Sequence, residues 1–451
     1  MQLSLCLIRG FLTRKYKWAN VILFVLLAFQ VTLQAQANPT WTIQTVDNKA
    51  YGYGNGYSPI VLDSNNIPHI VYTNIRIEPN RFQTPLVMYA SWDGKGWNSE
   101  QIAIGVAFSL LIDSNNNPQI LYGGYSGHEG LIYASWTGKE WTNQTIDETF
   151  WNGHGSFALD SFGNPHIAYT SRYVENGTYR LNYGSWTGSD WSIQTFDKSE
   201  DIRFRTSIAI DKNNVIYLMY GYTTKHYSSY GSYWESQTVK LAINENSNWK
   251  TGIVVSNITN YSNMVLDSQN FPHFAYQVKV RGNPWTSNIS YASWDGSGWN
   301  TQTIVSNVSL KVDFVNINMG GLALDAYGYP HIDYVITNSN PNSDLCSVMY
   351  ASWTGREWDI QTVDSAHIAN GPCYLSVDSN GNPHISYLIT PTGVGLDSYI
   401  ASVVYATATE TTQTSSPTFP FSAAVAVITA VIIGTVVTVV GVLFYFKKRK
   451  H

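Results

Sequence analysis

An Asp followed nine positions later by a Tyr occurs seven times along this chain: Asp63/Tyr72, Asp113/Tyr122, Asp160/Tyr169, Asp211/Tyr220, Asp267/Tyr276, Asp325/Tyr334 and Asp378/Tyr387. Consecutive Asp residues lie 47 to 58 positions apart. Self-similarity at that period, built on short apolar runs, marks an array of small β units that bury their faces against one another. The fuller copies read as four strands. One ends in the Asp, as in Ser156–Asp160, and a turn ending in Pro165 leads to a second, His166–Tyr169. A variable loop then leads to a third, such as Leu131–Trp136, and a tight turn to a fourth, such as Trp141–Ile146. Aromatic and β-branched runs between Gly, Asn, Asp and Pro turns are strand and hairpin signals.

The Trp that opens the fourth strand counts the units: Trp97, Trp141, Trp191, Trp249, Trp299 and Trp358. The seventh unit stops after its third strand, Ser402–Ala406, while Trp41-Thr-Ile-Gln-Thr-Val-Asp47 precedes the first unit. That segment matches Trp358-Asp-Ile-Gln-Thr-Val-Asp364 at all but one position. The expected fold is therefore an all-β, seven-bladed β-propeller of four-stranded blades over residues 38–406. Its N-terminal strand completes the last blade and so protects edges that would otherwise lie open. With 13% charged and 14% aromatic residues, the composition suits an aromatic β core. The net charge of −5 carries no sign of a nucleic-acid surface.

Both ends read as topogenic. Basic residues Arg9, Arg14, Lys15 and Lys17 precede the apolar run Val21–Phe29 and the small-residue sequence Ala35-Gln-Ala37. Residues 1–37 thus read as a signal peptide, or as an uncleaved anchor. Residues 423–446 carry no charge over a length that spans a bilayer as a helix. The basic tail 447–451 keeps that end cytoplasmic. A Ser/Thr/Pro-rich stalk, 407–422, separates the helix from the propeller. The expectation is a single-pass protein of the cell membrane, its propeller extracellular and its C-terminal helix the membrane partner. Sequons at Asn143, Asn176, Asn257, Asn260, Asn288 and Asn307 are N-glycosylation candidates on an exported domain. An oxidising exterior would also allow Cys346 and Cys373, in neighbouring units, to form a disulfide.

Repetition argues for structural roles. His69, His166, His273, His331 and His384 share one position, occupied by Gln119 and Tyr217 in the other two units. One residue per blade does not converge on a metal, so no metal or cofactor is expected. Asp113-Ser-Asn-Asn-Asn117 resembles the opening of a calcium loop but lacks the terminal Glu, and Asp-initiated turns explain it better.

The turns before the fourth strand, Ser91-Trp-Asp-Gly-Lys-Gly-Trp97 and Ser293-Trp-Asp-Gly-Ser-Gly-Trp299, resemble the Asp-box (BNR) repeats of sialidase-like propellers. The spacing is one residue shorter than in that family. Thr137, Thr187 and Thr354 replace the Asp in three copies. The resemblance implies a propeller whose boxes are structural and lie away from the active face.

Function is expected in the variable loops at the other face. Of sixteen Trp, only Trp151, Trp234 and Trp285 lie outside both the repeat and the signal, all in such loops. With Tyr53, Tyr57, Tyr173 and Tyr230 they are candidate ligand-binding platforms for a glycan or protein. The alternative is a sialidase-like hydrolase or lyase acting on extracellular polysaccharide. Arg76, Arg81, Arg172, Arg180, Arg203, Arg205 and Arg281 would supply its anion-binding groups. No catalytic set can be named from the sequence.

Overall fold

A computed structural model describes residues 40–51, 57–77, 83–125, 130–150, 153–172, 179–199, 205–227, 233–245, 248–280, 286–309, 317–337, 346–365, 368–369, 371–390 and 400–408. Two compact units partition the chain, Met1–Thr40 and Trp41–His451, and the repeats lie in the second. The expected signal, nearly all of the stalk, the membrane span and the basic tail lie outside the described residues. Among the described residues no helix is long and apolar enough to cross a membrane.

The described elements are all β-strands, paired antiparallel within each repeat. The third repeat is representative: His154–Leu159, Pro165–Arg172, Tyr179–Trp186 and Trp191–Ser199 pair in that order. In the first two repeats one long strand, Trp97–Ile112, serves as the fourth strand of one and the first of the next. Gly105 marks the handover, where an added Cβ would fall 2.4 Å from the Gly123 carbonyl oxygen. The N-terminal strand Trp41–Tyr51 pairs with the C-terminal strand Ile400–Ala408, from Trp41 against Ala408 to Tyr51 against Ile400. This last strand runs two residues into the segment expected as stalk, because Trp41 and Thr42 need Ala408 and Thr407 as partners.

The apolar faces meet between repeats. Among the described residues the core divides into seven clusters, each shared by two consecutive repeats. One joins the last to the first through Leu388, Val403 and Tyr405 against Ile60, Ile70 and Tyr72.

Each repeated residue has a defined contact. Oδ1 of all seven repeat Asp residues accepts the N–H groups two and four positions on, as Asp63 does from Asn65 and Ile67. This is the turn geometry expected from the sequence. Oδ2 faces Nε2 of the repeat His at 3.2–3.9 Å. The imidazole Nδ1 meets a Tyr hydroxyl on the third strand: Tyr89 at 2.5 Å, Tyr183 and Tyr405 at 2.6 Å, and likewise Tyr291 and Tyr350. Gln119 makes the same two contacts, to Asp113 and Tyr133. That Tyr then packs edge-on against the fourth-strand Trp of the next repeat, with centroids 5.1–5.8 Å apart in six instances. Trp41 against Tyr350 is one of the six, so the N-terminal strand fills the seventh repeat's vacancy in packing as well as pairing.

The Asp/Tyr spacing has a second use. Tyr72, Tyr169 and Tyr387 donate to Asp47, Asp147 and Asp364, which lie on the fourth strand of the preceding unit. The turns interlock too. Asn66, Asn116 and Asn214, all at positive φ, exchange two hydrogen bonds each with Ser379, Ser64 and Ser161 of the preceding repeat. In the box-like turns Asp93 and Asp295 accept backbone N–H groups and a strand Asn, while Thr137, Thr187 and Thr354 bridge the turn through their hydroxyls.

Burial holds all five repeat histidines below their usual pKa, with the neighbouring Asp opposing it. A group whose folded pKa is depressed contributes stability above its unfolded pKa and loses it as pH falls. In the variant Asp333→Asn, which removes an opposing buried carboxyl, the melting temperature should therefore drop as pH is lowered from neutrality through about 6.5, the unfolded histidine value. His331→Gln should stay within about 1 kcal/mol of wild type, because Gln119 already occupies this position. His331→Ala, which leaves Tyr350 without its buried partner, should lose about 1–3 kcal/mol by denaturant titration.

Candidate functional site

The first strands of all seven repeats surround one cavity of about 530 Å³. Its wall is mostly small or apolar, with Leu110, Leu322 and Leu375 among serines such as Ser156, Ser207 and Ser376. Hydroxyls and amides knit the wall together. Ser207 accepts from the Met264 N–H, and Asn263 exchanges two hydrogen bonds with the backbone of Leu322.

The reactive side chains sit where the chain enters these first strands. Tyr57 precedes Ile60–Leu62, His154 opens His154–Leu159, Arg205 precedes Thr206–Ile210, and Tyr374 opens Tyr374–Val377. All four line the cavity and are half-buried. The Tyr57 hydroxyl lies 2.5 Å from His154 Nδ1, and Phe108 packs edge-on against both rings. Burial, reinforced by the Arg205 charge, holds His154 down at about 4. Burial raises Tyr57 to about 12, with Arg205 pulling the other way. At neutral pH the pair is thus a neutral imidazole and an un-ionised phenol.

Arg205 is the one arginine on the cavity wall among the described residues. Its backbone carbonyl accepts from the Tyr261 hydroxyl at 2.5 Å, and its guanidinium donates to the Met319 carbonyl at 3.3 Å. That fixes the side chain and leaves most of its N–H groups for a ligand.

Behind the wall, Asp333 is wholly buried. One carboxylate oxygen accepts the Gly321 N–H, and the Cys373 thiol lies against the carboxyl. Position 320 must be Gly, since a Cβ there would come within 2.0 Å of Asp333 Oδ1. Burial lifts Asp333 to about 7, opposed by the contacts with Cys373, Gly321 and Arg205. Burial and Asp333 together push the Cys373 thiol well up.

Of the sequence candidates, Tyr57 lies in this site. Tyr53, Trp151, Tyr173, Tyr230 and Trp285 fall outside the described residues. Trp234 lies on the strand Tyr233–Glu245 opposite His226, its side chain outside the description. The expected Cys346–Cys373 disulfide is corrected: Cys373 is a free, buried thiol, turned to Asp333. Among the sequons, Asn143 and Asn257 are exposed and Asn260 and Asn288 are half-buried, while Asn176 and the Asn307 side chain lie outside the description.

The sequence reading missed His154, Tyr374 and Asp333. His154 stands off the repeat, as the singled-out tryptophans do. Asp333 replaces the apolar or small residue that every other repeat carries before its Tyr: Val71, Leu121, Ala168, Met219, Ala275 and Ser386. Both departures were visible.

No family model matches this chain, and no curated protein is similar to it in sequence. Solved structures are similar in fold. An ulvan lyase of polysaccharide lyase family PL25, bound to -[GlcA(1-4)Rha3S]-, is 12% identical with a TM-score of 0.52, over 80% of this chain and 95% of that one. The polysaccharide lyase Uly1 is 11% identical with a TM-score of 0.49, over 80% and 92%. The propeller domain of the Trilobed protease from Pyrococcus furiosus is 8% identical with a TM-score of 0.45, over 78% and 94%. The chain has a propeller-like all-β fold. Across such distances the likeness concerns architecture, so the chemistry of this propeller-like chain rests on its own residues.

Because its folded pKa is raised, Asp333 costs stability as pH rises from about 4, and the cost is complete above about 7. Asp333→Asn removes an ionisation worth up to about 4 kcal/mol. It should raise the melting temperature at pH 8 and change it little at pH 4.

Proposed function

We propose that this protein is a seven-bladed propeller, displayed at the cell surface, that cleaves a uronate-bearing polysaccharide by β-elimination in its central cavity. The observation that carries this reading is the neutral His154–Tyr57 pair beside the Arg205 charge. β-Elimination needs a group that neutralises the carboxylate, a base for the proton on the adjacent carbon, and an acid for the departing glycosidic oxygen. Arg205 would pair with the uronate carboxylate and hold the charge that moves onto it. The neutral imidazole of His154 takes the proton. The C–H electron pair becomes the new double bond, the bond to the glycosidic oxygen breaks, and the Tyr57 hydroxyl protonates that oxygen. His154 is a weak base, which Arg205 offsets by making the carbon acid stronger. The lyase of similar fold bound to a GlcA-containing chain supports the substrate class.

A sialidase-like hydrolase fits less well. That chemistry resembles an arginine cluster, a Tyr paired with a Glu as nucleophile, and an acidic proton donor, and among the described residues the cavity wall carries one arginine and no carboxylate. A propeller that only holds its glycan would use the same Arg205 charge, and turnover separates the two readings. The loop aromatics Trp151, Trp234 and Trp285 would extend the platform along the polysaccharide. The signal, stalk and apolar C-terminal segment would set the propeller outside the cell, on turns of the Asp-box kind.

The full-length protein in detergent should release unsaturated uronate ends from a glucuronate-containing polysaccharide, read by ultraviolet absorbance. His154→Gln, Tyr57→Phe and Arg205→Ala should each lower kcat/KM by about a hundred- to ten-thousand-fold. The acid limb of the wild-type profile should fall near pH 4, set by His154. Tight binding without any new double bond would sink the lyase and leave the binding reading.

A further inference from the structure

The fourth repeat keeps its turn Asp but has lost the unit built on it. Asp211 is present, yet Tyr217 stands at the His position, Leu241 at that of the third-strand Tyr, and Asn244 at that of the third-strand Trp. The next repeat's Trp299 therefore finds no Tyr across the junction and packs on Phe274 instead, at 5.5 Å. A second cavity of about 630 Å³ lies at this junction, a size common to small-ligand sites. It sits at the far end of the fourth repeat's first strand: Arg205 precedes Thr206–Ile210, and Asp211 follows it.

Its wall carries the indoles of Trp294 and Trp299, with Phe271 and Tyr217, all half-buried. Asp211 is only 7% exposed. Its Oδ1 is taken by the N–H groups of Asn213 and Val215. Its Oδ2, which faces a His or Gln side chain in every other repeat, has no hydrogen-bond partner among the described residues. Glu245 on the rim is paired with Lys250 at 3.5 Å, so the unbalanced charge is that of Asp211.

We propose that this cavity is a second saccharide site, separate from the central one, that takes an uncharged pyranose chain. Flat aromatic walls suit the apolar C–H faces of a sugar ring. A carboxylate oxygen that lines the cavity with no protein donor suits its hydroxyls, because charge-assisted hydrogen bonds are the strong ones. The net negative charge excludes the uronates read for the central cavity. The second site stands whether or not the central site turns over substrate, since it shares no residue with it.

The test titrates full-length protein with cellohexaose, mannohexaose and xylohexaose, following tryptophan fluorescence and binding heat. At least one should bind with Kd at or below about 1 mM. Trp294→Ala and Asp211→Asn should each weaken it at least tenfold at unchanged melting temperature, and His154→Gln should not affect it. The double variant Tyr217→His/Leu241→Tyr rebuilds the repeat's own unit in the cavity, and should abolish binding while folding at least as stably as wild type. The proposal is overturned if none of the three sugars binds. It is equally overturned if folded Trp294→Ala and the rebuilt variant bind as wild type does, or if His154→Gln removes the binding.

Discussion

Everything in this structure hangs on a relay that begins inside one repeat and ends in the next. The turn Asp fixes the backbone with one oxygen and turns the other toward a His. The His orients a Tyr hydroxyl, and that ring meets the Trp of the following repeat. A four-stranded sheet has two apolar faces and cannot bury either alone, so stability must come from its neighbours. The relay supplies register as well as area. A Trp that slipped by one residue would point to the other face and miss its Tyr. The closing strand obeys the same rule, since Trp41 both pairs beside Ala408 and packs on Tyr350.

Rigid placement of the first strands follows, and the central cavity depends on it. Tyr57, His154, Arg205 and Tyr374 come from four different repeats. Their spacing is held only as well as the repeats are held to one another. Arg205 sets the electrostatics of the enclosure. Beside the larger effect of burial, it helps to lower His154, counters the upward push of burial on Tyr57, and favours the ionised form of Asp333 behind the wall. An arginine that gives one hydrogen bond to Met319 keeps its charge available to a ligand anion. The cavity therefore holds a positive charge already fixed in place.

The architecture was legible because it is written many times over. The Asp/Tyr spacing, the Trp count and the match of Trp41–Asp47 to Trp358–Asp364 each describe contacts made in several copies, and copies average out local noise. What remained hidden was whatever occurs once. The partner of each repeat Tyr, such as Asp47 for Tyr72, lies in another unit at a variable distance along the chain. Tyr57, His154 and Arg205 are 97 and 51 positions apart in sequence, and only the arrangement of repeats brings them to one cavity. Cys373 misled for a related reason: neighbouring units permit a disulfide, but the direction of one thiol decides it, and this one faces Asp333.

Both candidate sites lie where the repeat is broken. A residue that serves the relay is held inside its repeat. His69 and its four counterparts lie between an Asp and a Tyr, whereas His154 meets Tyr57 at the cavity surface. Asp211 faces no His or Gln side chain as its six counterparts do, and it lines the cavity at the fourth junction. Asp333 interrupts a strand position that is otherwise apolar or small and requires Gly320 to make room. In a chain of near-identical units, a substitution that abandons a shared contact forfeits stability at that unit. Departures at the cavity wall and at the fourth junction therefore mark the places where the shared packing has given way to polar groups outside the relay.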